Sequence, residues 1–126
     1  MSTRSSISVF DKNLYTTVYC HNDGYFSYNG KILLEHYTNL KKVEMLVALG
    51  DMSVLGDDPQ TCYFYHRDRN EEWQTVSPSK CEKLSDIITQ EFNYVFAGGN
   101  WFYFFEDRTE KPMLKILTKE KVVEDE

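Results

Sequence analysis

The sequence has no long hydrophobic run: its apolar stretches are a handful of residues, against the ~20 that cross a bilayer. The opening residues, Met1 to Ser6, carry neither the charged segment nor the apolar stretch of a signal peptide, so a cytosolic chain is expected. Cysteine is scarce and odd in number. Cys20, Cys62 and Cys81 include no Cys-x-x-Cys pair, which argues against a zinc ribbon, a thioredoxin-type motif and a disulfide framework. There is no Gly-rich phosphate loop and no Gly-x-Ser-x-Gly elbow. Positive charge is also short: 14 Lys and Arg face 20 Asp and Glu, a net charge of -6. No basic stripe escapes the interleaved carboxylates, so sequence-independent binding to DNA or RNA is not expected.

What is present in surplus is aromatic: nine Tyr, eight Phe and two Trp in 126 residues. Residues 5–10 and 14–20 read as a strand pair around the turn cluster Asp11-Lys12-Asn13, and Asn22-Asp23-Gly24 is a second turn. Helical spacing then runs from Gly30 to Leu49, broken near Thr38 and Asn39, either of which can cap the second helix, with Gly50 closing it. Residues 61–66 read as a strand. Ser77-Pro78-Ser79 reads as the start of a short helix carrying Leu84, Ile87 and Ile88. Residues 92–96 and 101–105 flank Ala97-Gly98-Gly99-Asn100, a β-hairpin, and residues 113–117 form a last strand. The expected fold is one α+β domain over residues 1–126. It has an antiparallel or mixed β-sheet of five to six strands, two to three helices on one face, and a frayed acidic tail from about residue 120 to 126.

Four groups of residues could carry function. Cys20, His21 and Asp23 lie within four positions beside a sharp turn, and His36 on the following helix could join them. These are suitable ligand types for Zn2+, or for a small zinc-dependent or cysteine/histidine enzyme. The structural alternative has Asp23 capping its turn, Cys20 packed in the core and His21 bonded to backbone. Cys62 and His66 do not qualify as a metal pair, because four residues of strand span roughly 13 Å. Arg67 and Arg69, with Asp68, Glu71 and Glu72 at hand, form either a phosphate clamp or a salt-bridge ladder; with Arg4 they could build a structural polar network. Glu71, Glu72, Glu106 and Asp107 belong to acidic clusters that either imitate phosphate for a basic partner or simply solvate the surface. The aromatic residues of the terminal hairpin serve packing on one face and leave the other as packing or as a partner surface.

The run Ser2-Thr3-Arg4-Ser5-Ser6-Ile7 is followed by Tyr19-Cys20-His21-Asn22-Asp23-Gly24-Tyr25 and Leu33-Leu34-Glu35-His36-Tyr37. Leu49-Gly50-Asp51-Met52-Ser53, Arg67-Asp68-Arg69 with Glu71-Glu72, and Tyr94-Val95-Phe96 complete the series. In this order the motifs resemble a family of small proteins encoded by bacteriophages and prophages. The likeness covers about residues 2–105. Asn22 stands where the family tends to carry an aromatic residue, and Asn70 where glycine is expected. The resemblance implies a phage accessory protein working in the bacterial host cytoplasm as a monomer or small homo-oligomer. Its expected partner is a host protein rather than nucleic acid or membrane. Anti-CRISPR inhibitors are a prominent class of such proteins, so the implied role is inhibition of a Cas effector nuclease, Cas9-type first, through an acidic and aromatic surface that blocks nucleic-acid loading or cleavage.

Overall fold

A computed structural model describes residues 2–105 and 113–124. The chain is mixed α+β. Strands β1 (Ser5–Asp11) and β2 (Leu14–Cys20) form a hairpin whose two-residue loop, Lys12-Asn13, has positive φ at both positions. A π-helical turn (Phe26–Gly30) leads into α1 (Lys31–His36) and then α2 (Leu40–Ala48). Asn39 caps α2, accepting from the Lys42 N–H at 2.9 Å, and Gly50 follows its end with φ +87°. Next come β3 (Met52–Val54), β4 (Tyr63–Phe64), α3 (Tyr65–Arg69), α4 (Trp73–Val76) and β5 (Ser79–Cys81). The hairpin β6 (Phe92–Ala97) and β7 (Asn100–Phe104) turns through Gly98 and Gly99, both at positive φ, as a type I′ turn demands. Strand β8 (Lys115–Ile116) and α5 (Lys119–Glu124) complete the described chain.

Among the described residues eight strands make one sheet, in the order β4-β3-β2-β1-β6-β7-β8, with β5 pairing β2 beside β3. The β1–β6 and β2–β3 pairs are parallel and the others antiparallel. Side-chain alternation divides the sheet into two faces. Ile7, Val9, Val18, Cys20, Tyr94, Phe96, Trp101 and Tyr103 form the larger core, joined by Leu33 of α1, Val43, Leu46 and Val47 of α2, and Val122 of α5. Ser6, Ser8, Thr17, Asn93, Val95 and Phe104 alternate with them on the reverse face, where Ile87 and Leu84 cover the apolar part.

Several expectations change. The sheet has eight strands rather than five or six, because β3 and β5, in segments not read as strands, add to it along β2. Among the described residues there are five α-helices rather than two or three. Residues 77–88 do not form a helix: Ser79–Cys81 pairs with β2, and only Leu84–Asp86 takes a single 3-10 turn. The segment read as a strand over 61–66 bends into α3 after Phe64, where the Asp68 carboxylate accepts the Phe64 N–H at 2.7 Å and ties the turn shut. At the tail, residues 119–124 are helical with Val122 buried, and residues 125 and 126 lie outside the described residues.

Candidate functional site

The turn after β2 is built from inside outward. Asn29 is buried and its Nδ2 lies 3.0 Å from the Asn22 carbonyl, 3.2 Å from Ser5 Oγ and 3.4 Å from Cys20 Sγ. Asp23 takes the left-handed conformation, φ +60°, and its carbonyl accepts the Asn29 N–H. Gly24 presses on the carbonyls of Thr3 and Arg4, where a Cβ would lie 3.0 Å from each oxygen, and its own carbonyl accepts the Tyr94 hydroxyl. Cys20 is sealed within this network at 0% exposure, and burial pushes its thiol up to about 12. His21 points elsewhere: its Nδ1 is 2.6 Å from the Tyr19 hydroxyl. His36 sits at the end of α1, with Nε2 3.6 Å from Asp57 Oδ1.

The expected four-ligand cluster of Cys20, His21, Asp23 and His36 is therefore not assembled. Pairing of β2 with β3 continues past Cys20, His21 N–H to the Met52 carbonyl and Asn22 N–H to the Ser53 carbonyl, which holds the chain extended where convergence would need a bend. Among the described residues no group of three or more His, Cys, Asp or Glu side chains is placed to hold a metal ion. These residues as arranged do not fit a zinc site.

Arg67 makes four hydrogen bonds within the molecule: Nε and Nη2 fork onto Asp68, and Nη1 and Nη2 reach the carbonyls of Pro59 and Cys62. The guanidinium holds the Asp68 carboxyl below the usual carboxylate range. Arg69 pairs with Glu71 at 3.3 Å, so that carboxylate is shared within the chain, while Glu72 is exposed ahead of α4. Arg4 is exposed, and its N–H faces Glu91 at 3.5 Å. Glu106 and Asp107 lie outside the described residues.

Two features carry surface chemistry. The first is aromatic. Tyr25, Tyr28, Phe92 and Phe105 form a chain of rings with centroids 5.6–6.2 Å apart. Exposures are 41% for Tyr25, 56% for Tyr28 and 47% for Phe105. Phe26, beneath them, packs edge-on against Phe92 and Phe105.

The second feature is a cavity of about 190 Å3 whose wall includes Asp51. The outer edge of β2 is shared between two short strands, β5 along Tyr15 to Thr17 and β3 at Cys20. The Tyr19 N–H falls in the gap between them, and the Asp51 carboxylate fills the place of the missing strand, accepting it at 2.9 Å. The Asp51 backbone is tied on both sides, its N–H to the Val76 carbonyl and its carbonyl to the Tyr65 N–H. Burial raises the Asp51 carboxyl to about 6, opposed by the Tyr19 hydrogen bond. Asp51 lies in the Leu49 to Ser53 motif but earns no role from the sequence, since neither β5 nor the gap is visible there. No protein-family model, curated protein or solved structure matches this chain.

Proposed function

We propose that this chain is a phage accessory binding protein that inhibits a bacterial defence nuclease of the Cas class by covering a cationic, nucleic-acid-binding surface. The observation that carries the reading is the exposed ring cluster of Tyr25, Tyr28 and Phe105 on a chain with a net charge of -6. Contiguous exposed aromatic surface is the usual anchor of a protein interface, and excess negative charge selects and steers a basic partner. The resemblance to small phage proteins supplies the class of partner. The enzymatic alternative has less support: at neutral pH Cys20 is a buried, protonated thiol, and its partners are an amide and backbone carbonyls rather than an imidazole.

Cleavage assays with purified Cas effectors test this, Cas9-type first. Inhibition is expected, weakening as salt rises because exposed charges are screened beyond about 8–10 Å. Tyr28→Ala combined with Phe105→Ala should weaken inhibition by roughly thirtyfold or more, the loss of an interface hot spot. Unimpaired cleavage by type I, II and V effectors would overturn the proposal.

A further inference from the structure

The cavity beside Asp51 has a property that the inhibitor reading does not use: on the side formed by Asp51, Ser6 and Thr75 its wall accepts hydrogen bonds. Asn93 Nδ2 donates to the carbonyls of Gln90 and Phe104, so its Oδ1 is the acceptor. Ser6 Oγ must then give its hydrogen to that oxygen, 2.7 Å away. Thr75 Oγ1 likewise gives its hydrogen to the Glu72 carbonyl at 2.7 Å. A hydroxyl that has spent its one hydrogen presents only lone pairs in its remaining directions. Asp51, accepting the Tyr19 N–H on Oδ1, makes no other side-chain hydrogen bond among the described residues, and its ionised form is acceptor-only.

Ser77, Ser79 and Gln90 add to the polar lining groups that can turn a lone pair as well as a hydrogen to a guest. The fixed acceptors beside the Asp51 charge therefore decide the match, and they suit a guest made of donors. An ammonium group has three N–H bonds and no acceptor, and a guanidinium has five in a plane. The volume, about 190 Å3, is below the roughly 300–1,000 Å3 of sites for drug-sized ligands, and fits a cationic head with a short stem. Ile88, 63% exposed, lines the same cavity and offers an apolar surface to methylene groups. A cation here would also compensate a carboxylate that is withdrawn from water with only one hydrogen bond.

We propose that this cavity binds a single guanidinium or primary ammonium group, held by the Asp51 carboxylate and the lone pairs of Ser6 and Thr75. The group could be carried by an arginine or lysine side chain of another protein or by a free small amine. The inference stands apart from the nuclease reading, and its test needs no nuclease.

The test is a titration of the full chain with N-methylguanidinium and n-propylammonium, followed by amide NMR shifts, with tetramethylammonium as a cation that has no N–H. Saturable shifts centred on Tyr19, Asp51 and Thr75 are expected for the first two and not for the third. Asp51→Asn keeps an acceptor for the Tyr19 N–H but removes the charge, and should weaken binding roughly tenfold or more, as for a charged hydrogen bond. Thr75→Val removes one wall acceptor and should weaken it roughly threefold. A parallel titration with N-acetyl-arginine methylamide separates the sources: tighter binding than N-methylguanidinium assigns a protein side chain, and equal binding a free cation. No saturable shift at Tyr19, an equal response to tetramethylammonium, or undiminished binding by a folded Asp51→Asn chain would overturn the proposal.

Discussion

The two faces of the central sheet use the same four strands for opposite ends. Toward α1, α2 and α5 the strands present Ile7, Val9, Val18, Tyr94, Phe96 and Trp101, an apolar surface whose stability comes from area removed from water. On the reverse face the same strands carry Ser6, Ser8, Thr17 and Asn93, all buried and all hydrogen-bonded. Burying that many hydroxyls and amides adds little net stability, since each internal bond replaces one to water. The contrast teaches that one face holds the fold together, while the other spends its positions on an oriented polar wall with Asp51 at its margin.

Substitutions should break the two faces differently. The largest effect is expected at Phe96, which is buried and packs against Trp101 with centroids 5.2 Å apart. Phe96→Ala should cost about 3–5 kcal/mol, read as a lower midpoint in urea unfolding. Asn93→Ala on the reverse face should cost about 2–3 kcal/mol, because it strands the Ser6 hydroxyl and the carbonyl of Phe104 in the interior. Smaller still is the Ser8–Thr17 pair, whose hydroxyl oxygens are 2.7 Å apart. Ser8→Ala or Thr17→Val alone should cost about 1–2 kcal/mol. The double variant should cost less than the sum of the two, since removing both partners leaves no unsatisfied group. Strict additivity in that cycle would contradict the wall of coupled polar groups.

What was legible in the sequence follows the range of the interaction responsible. The Gly98-Gly99 turn, the Asn39 cap and Gly50 after α2 depend on a residue's own φ or on a bond three residues away, and local pattern reads them directly. The segment around Pro78 misled because Leu84 and Ile87 repeat near helical spacing, whereas their burial comes from the reverse sheet face and Ser79–Cys81 is held by β2. The zinc expectation rested on closeness in sequence, yet Cys20 turns inward to the core face while Tyr19 and His21, one position to either side, meet each other. Asp51 was hidden for the converse reason. Its partner is 32 residues away, and its role exists only because β5 and β3 leave part of β2 uncovered between them.

The most direct measurement is the thermal stability of the natural chain and of Asp51→Asn across pH 4 to 8. The Asp51 carboxyl titrates near 6 in the fold, above its ordinary 3.8, so the folded state holds this proton more tightly than the unfolded chain does. Protonation therefore favours folding, and this contribution is complete below about 3.8 and lost as pH rises through about 6. The difference in Tm between Asp51→Asn and the natural chain should accordingly be larger at pH 8 than at pH 5, with the variant the more stable at pH 8. A difference that does not change with pH, or a variant less stable at pH 8, would contradict a carboxylate held charged at the cavity wall against the cost of its burial.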